Sequence, residues 1–291
     1  MDYHKERFED YSLLVYKEDE LIGLLPANIK DKTIYSHQGL SYGTFLLTKD
    51  TKFSTVLKSI EKLLEFLAEE GIEEVVIKQI PVIYNEFPSD ELEYLMFILK
   101  AKIIEKNTLS VIDLERDNKI SKDRIKGYKR AKKHELVIRE EETFDAFWNQ
   151  ILIKNLKERH GVKPTHSLKE ISFLKKYFSK EIRQFNVYKN DKIVAGTTIF
   201  ESQNVAHSQY ISADEDRSLL GSLDFLHFYI IDEVFKNEKK YFDFGNSNIN
   251  NGENINQGLQ SWKEGFGART IIHNYYSIKT KNYSLLSKVL V

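Results

Sequence analysis

The hydrophobic positions change period as they are followed along the chain. Leu13 to Tyr16, Leu21 to Ile29 and Thr33 to Ser36 are short apolar-rich runs of the kind that form strands, with the polar turn Lys17-Glu18-Asp19-Glu20 between the first two. His37 to Gly43 reads as a glycine-bearing loop. From Phe53 the spacing lengthens. Val56, Leu57, Ile60, Leu63, Leu64 and Leu67 recur at three and four residues and predict one apolar stripe along a helix. Gly71 closes it. Glu74 to Lys78 returns to a buried type of strand, Ser89 caps a helix that turns Leu92, Leu95, Met96 and Leu99 inward, and Ile103 to Leu114 predicts a closing strand.

Asp117 to Ser121 marks the boundary, so the chain divides into an N-terminal half, 1–117, and a C-terminal half, 118–291. A basic segment, Lys122 to Lys133, follows it. Phe144, Phe147, Trp148, Ile151, Leu152 and Leu156 form a second helical stripe, and Leu168 to Phe178 a further helix. Phe185 to Lys189 and Ile193 to Phe200 read as a hairpin over Asn190-Asp191-Lys192. Val205 to Ile211 is a strand, Gly221 to Phe235 an apolar helix, Tyr241 to Gly245 a strand, and Thr270 to Ile278 the last strand.

The two halves echo each other. Val15-Tyr16-Lys17, a turn, Ile22 and Gly23 match Val187-Tyr188-Lys189, a turn, Val194 and Gly196; each hairpin is followed by a strand, a helix and a strand. This order predicts a mixed α/β (α+β) protein of two related halves, each a largely antiparallel mixed sheet flanked by helices.

Composition narrows the chemistry. The 291 residues carry a net charge of -1, which gives no global field for nucleic acid or an anionic membrane. The absence of cysteine excludes a disulfide framework, a thiolate nucleophile and a Cys-type zinc site. His160 and His166 lack the i, i+4 spacing of a helical metal pair, so no metal is expected. The first residues have no apolar core of a signal peptide, and no apolar run approaches the roughly 20 residues of a membrane span. These features read as a cytoplasmic protein; nothing in them speaks to oligomeric state.

One stretch stands apart. Tyr241-Phe242-Asp243-Phe244-Gly245 is followed by a loop rich in Asn, and then by Ser261-Trp262-Lys263-Glu264-Gly265-Phe266-Gly267-Ala268. This order resembles the C-terminal signature of the Fem-type peptidoglycan aminoacyltransferases and of the BioF2-like and CelD-like acyltransferases, all within the GNAT superfamily of N-acyltransferases. Hairpin, strand, helix, strand is the central unit of that fold, and its duplication resembles the tandem architecture of the Fem-type enzymes. The resemblance implies transfer of an acyl or aminoacyl group, from acyl-CoA or aminoacyl-tRNA, to an amine on a small molecule such as a nucleotide sugar or on a cell-envelope precursor. The alternative is a binding or assembly module that kept the fold without the chemistry.

It also implies roles for residues. Lys263 would lie beside the reacting centre, where its charge offsets charge in the transition state; Trp262 is a substrate wall or a core aromatic. His207 and Tyr210 lie on the strand where the superfamily often places a general base. Strict alternation puts His207 with Gln209 on one face and Ser208 with Tyr210 on the other. Asp243 is a structural anchor or a site residue, and Asn246 and Ser247 are placed to touch an acceptor. The donor-binding turn of the superfamily has the pattern Arg or Gln, two residues, Gly, one residue, Gly or Ala. Here Arg217-Ser218-Leu219-Leu220-Gly221-Ser222 keeps Arg217 and the small Ser222, but has Leu220 at the first glycine and Gly221 one place late. That departure weighs against coenzyme A and is compatible with another donor. The corresponding stretch of the first half, Leu47 to Lys52, contains no glycine, so one donor site is expected, in the second half, with the first half structural or acceptor-binding. Lys129-Arg130-Ala131-Lys132-Lys133 resembles the helix that precedes the second half in these families. It is either a phosphate-binding or tRNA-contacting element or a solvated helix face.

Overall fold

The stripe that begins at Phe53 does form a helix, Phe53–Glu69, with Val56, Leu57, Ile60, Leu63, Leu64 and Leu67 buried. In the computed structural model, which describes residues 2–291, it belongs to the first of two compact units. The helix packs into a core with Val75 and Ile77 of the strand Glu74–Lys78 and with Leu92, Leu95 and Met96 of the helix Glu91–Ile98. Thr33–Tyr35 pairs parallel with Glu74–Lys78, from Thr33↔Glu74 to Tyr35↔Val76. Beyond Tyr35 the chain folds back over the strand end. Gly43 N–H donates to Lys78 O (2.9 Å), and the Ser36 hydroxyl donates to Gly43 O (2.6 Å) while accepting from Lys78 N–H (2.9 Å).

Each unit is drawn from separated stretches of the chain. The first comprises residues 1–107, 250–254 and 272–291; the second comprises 108–249 and 255–271. The reason is a ladder. The final strand, Arg269–Lys279, pairs antiparallel with Glu74–Lys78, and this sets Tyr276 and Ile278 into the core under the Phe53 helix. Strand periodicity shows that 270–278 is a strand but not which neighbour it takes.

Within the second unit the strand order is Lys102–Asp113 (from residue 108), Tyr241–Asn246, Val205–Ala213, Lys192–Glu201, Ile182–Lys189 and Val137–Glu141. The hairpin Ile182–Lys189/Lys192–Glu201 turns at Asn190 and Asp191, both left-handed (φ 48° and 60°), a conformation these residue types tolerate. The helical run from Asp145 passes through a π-helical turn at Trp148–Leu152 and ends at His160. Ser222–Tyr229 continues similarly into Ile230–Phe235. The core gathers Phe185, Phe235, Phe242, Phe244 and Phe266 beneath Leu226 and Ile230. Among the described residues, no helix is long and apolar enough to cross a membrane.

Candidate active site

The site forms where a sheet comes apart. Val205–Ala213 and Tyr241–Asn246 run parallel through Val205↔Tyr241, Ala206↔Phe242 and His207↔Asp243, and the ladder stops there. One strand continues beside Lys192–Glu201 with a bulge: Ile199 faces Ser208 but Thr198 faces Tyr210, so Gln209 is an extra residue. The other strand turns through Gly245 (φ +71°) and pairs Asn246 with Leu109. Between the parted strands lies a cleft of about 800 Å³. Ser208, Gln209, Ile211 and Ser212 line one side, Phe244 and Asn246 the other, and Trp262 and Lys263 also border it.

The bulge overturns the expected alternation. Ser208 and Gln209 both reach the cleft, because an inserted residue breaks the two-residue period. Tyr210 is turned away from it. Its hydroxyl accepts from His166 N–H (3.1 Å), lies 2.6 Å from His166 Nδ1, and the ring meets Trp148 edge-on.

Lys263 sits on the helix Gln257–Glu264, whose first turn is capped by Asn256 accepting from Leu259 N–H (3.0 Å). The side chain is folded under the split strand: the residue is 2% exposed, and Nζ donates to Gly245 O (3.0 Å) and Asn246 O (2.5 Å). Burial lowers its pKa to about 8, against the opposing attraction of Asp243. Two of the three ammonium N–H groups are held by carbonyls, and the residue also lines the cleft. Beneath it, His227 is wholly buried, its Nδ1–H donating to Leu223 O (2.8 Å), with Trp262 edge-on at 4.9 Å. Burial pushes this imidazole down to about 4 and the Lys263 charge acts in the same direction, so it is neutral at neutral pH.

Asp224 forms the opposite corner. Its Oδ1 accepts from Arg124 (2.5 Å) and from Trp262 Nε1 (3.0 Å), and burial raises its pKa in spite of Arg124. The basic helix Lys122–Lys133 reaches this close because of Gly127, where a Cβ would lie 1.7 Å from Asp224 Oδ2. Arg124 and Arg130 of that helix line the cleft together with Arg217. Four cationic side chains thus line the cleft together with the one carboxylate of Asp224, which gives it an excess of positive charge.

Not every residue singled out from sequence lies here. Arg217 does, on the short helix Arg217–Leu220. Leu220 is a core residue packed among Leu226 and Ile230. Gly221 is left-handed (φ +69°), and a Cβ there would meet Gly127 O at 2.1 Å, so the basic helix packs against this turn; the Gly221 N–H is spent on Arg217 O (2.8 Å). Ser222 is buried, and its hydroxyl has no hydrogen-bond partner among the described residues. Ser247 is likewise buried outside the cleft, whereas Asn246 and Trp262 border it. His207 and Asp243 are brought together: Nδ1 lies 3.0 Å from Oδ2, and Asp243 is fully buried. The Arg124–Asp224–Trp262 cluster was missed. Its one signal was a glycine inside a basic helix, which marks a close approach. Among the described residues, no group of three or more His, Cys, Asp or Glu is arranged to hold a metal ion; the side chain of His160 lies outside the described residues.

A family model for the acetyltransferase (GNAT) domain matches residues 116–263, just over half of the chain and nearly all of the cleft. No curated protein matches in sequence. Among solved structures the chain is similar to FemX (TM-score 0.65, 12% identity, covering 98% of this chain and 92% of that one). It is also similar to L-PGS from Bacillus licheniformis (TM-score 0.62, 13% identity, 98% and 92%). A third likeness is to a conserved protein of unknown function from Bacteroides thetaiotaomicron (TM-score 0.62, 12% identity, 96% and 88%). At these identities the likeness is one of fold.

Proposed function

We propose that this chain, which belongs to the GNAT acetyltransferase domain family and is an acyltransferase, moves an acyl or aminoacyl group from a phosphate-bearing donor in the arginine-lined cleft to an amine. The observation that carries the reading is Lys263, a buried ammonium fixed by two carbonyls at the point where the strands part.

In this reading the amine nitrogen attacks the donor carbonyl, forming the new C–N bond. The carbonyl oxygen takes up negative charge, and collapse breaks the bond to the leaving group. The third N–H of Lys263 is the donor for that oxygen or for the departing atom, in a cleft where charge is poorly screened. The attacking amine must lose a proton. His207, held by Asp243 and not itself among the residues that line the cleft, is the candidate acceptor; Tyr210, bonded to His166, is assigned no step. The donor's phosphates fall to Arg124, Arg130 and Arg217, since guanidinium groups suit phosphate oxygens and the Gly221 N–H is spent on Arg217 O. This arrangement favours a donor gripped by side chains, such as aminoacyl-tRNA, over acyl-CoA held by a backbone cradle. The outward residues Lys126, Lys129 and Lys133 extend the positive surface of the same helix. An acceptor amine on a cell-envelope precursor is what the resemblance of the Trp262-Lys263 and Phe266-Gly267 stretch to the Fem-type enzymes implies.

The test is binding and transfer with labelled acetyl-CoA and labelled aminoacyl-tRNA, on wild type and on Arg217→Ala. Binding of aminoacyl-tRNA, weakened by Arg217→Ala and by added salt, is the expected result. Binding of neither donor overturns the reading.

A further inference from the structure

The geometry points to Asp243 as the positioning residue that keeps Lys263 charged and fixed at the cleft, a deepening that rests on the role of Lys263 proposed above. Both oxygens of this fully buried carboxylate are engaged. Oδ2 lies 3.0 Å from His207 Nδ1, and Oδ1 accepts from Gly245 N–H at 2.7 Å. The second contact spans two residues, an Asx-type turn. It leads the chain through left-handed Gly245 into Asn246. The carbonyls presented by these two residues are the pair that hold Nζ. One side chain thus shapes the acceptors for the ammonium and also contributes the negative charge behind them.

The other titratable groups around Lys263 act differently. His227 and Asp224 belong to the helix Ser222–Tyr229, Arg124 and Arg130 to Lys122–Lys133, and Arg217 to the turn before Gly221. His227 is neutral, and the three guanidinium groups repel an ammonium. Asp224 is already committed to Arg124 and Trp262. His207 touches Asp243 and so acts on the same carboxylate. Burial lowers the Lys263 pKa, and Asp243 is the charge that works against burial. Gly245 ties the assembly further: a Cβ there would meet His207 Cε1 at 3.3 Å.

The experiment reads Lys263 directly. The full-length protein is labelled with isotopic acetic anhydride across a pH series, and the modification of Lys263 is quantified by mass spectrometry. Asp243→Asn removes the charge but keeps an oxygen for Gly245 N–H. Its labelling midpoint is expected to fall by about one pH unit below that of wild type, with Tm nearly unchanged. A midpoint equal to that of wild type overturns the proposal and leaves Asp243 a structural anchor. If Asp243→Asn does not fold, Asp243→Ser, neutral and able to accept the same N–H, is read against the same two outcomes. Because the midpoint needs no substrate, failure of the acyl-transfer reading leaves this result intact. Conversely, transfer activity with an unmoved midpoint rejects only the role of Asp243.

Discussion

Each unit contains a parallel two-strand ladder that runs out, and each places a lysine at the break, half-buried in the first and fully buried in the second, yet the two breaks are filled differently. In the first unit the ladder ends at Tyr35↔Val76, and residues 36–43 fold into the gap. Lys78 Nζ donates to Gln38 O (3.2 Å) and Leu40 O (2.9 Å), carbonyls of that same filling loop, and burial lowers its pKa. In the second unit the ladder ends at His207↔Asp243, the bulge carries one strand away, and Lys263 holds the carbonyls of the other strand beside an open cleft. The same device, an ammonium closing off orphan carbonyls, serves structure in one place and borders a site in the other. A depressed lysine pKa does not by itself mark function. The space beside the ammonium does.

The comparison breaks most sharply at the two lysines. Lys263→Ala is expected to lower kcat by about 10²–10³-fold while the protein stays folded, the effect of losing one charged donor at a developing oxyanion. Lys78→Ala is expected to lower Tm with kcat within a few-fold of wild type. Steady-state kinetics and a melting curve on both variants check this, and equal losses of kcat would erase the distinction.

Removing the lysine charge also has a sign. Lys263 titrates near 8 in the fold and near 10.5 unfolded, so the charged form is disfavoured by roughly 3 kcal/mol at neutral pH. Between about 8 and 10.5 the unfolded chain holds more protons, and this group makes stability rise with pH across that window. Lys263→Met is therefore expected to lose activity, and its stability relative to wild type to fall between pH 7 and 9.5, because only the wild type sheds this proton; denaturant melts at the two pH values check it. Turnover that depends on the ammonium falls as pH passes through about 8.

The seam between Lys122–Lys133 and Ser222–Tyr229 sharpens the comparison at lower amplitude. Gly127→Ala pushes a Cβ onto Asp224 Oδ2 and is expected to destabilise by about 1–3 kcal/mol, read in urea melts, because the helix must back away. Smallest is Arg217→Ala. Arg217 is exposed at the rim, and its loss is expected to raise donor KM by about tenfold with kcat unchanged.

Much of this architecture was legible in residues, and the reasons for what was not are physical. The stripes from Phe53 and Phe144 are long and strongly periodic, so helices were read there correctly. The Trp262-Lys263 pair stands out through the order Trp262-Lys263 followed by Phe266-Gly267, which carries the resemblance to the Fem-type enzymes, and the lysine is buried. The bulge at Gln209 left no mark, since nothing in its residue type distinguishes an inserted position from a paired one. His207 and Asp243 were each noticed, but their contact depends on strands 36 residues apart in sequence meeting in register. Leu220 looked like a degraded glycine; in the fold it is a core leucine held inward by the helix turn.

The pairing of Arg269–Lys279 with Glu74–Lys78 sets an order of assembly. Tyr276, Ile278 and Leu286 complete the core around the Phe53 helix, so the first hundred residues cannot finish folding as they leave the ribosome. At typical synthesis speeds they wait roughly ten seconds or more for the tail that closes them. A chain that lacks residues 272–291 is therefore expected to leave the core around the Phe53 helix open.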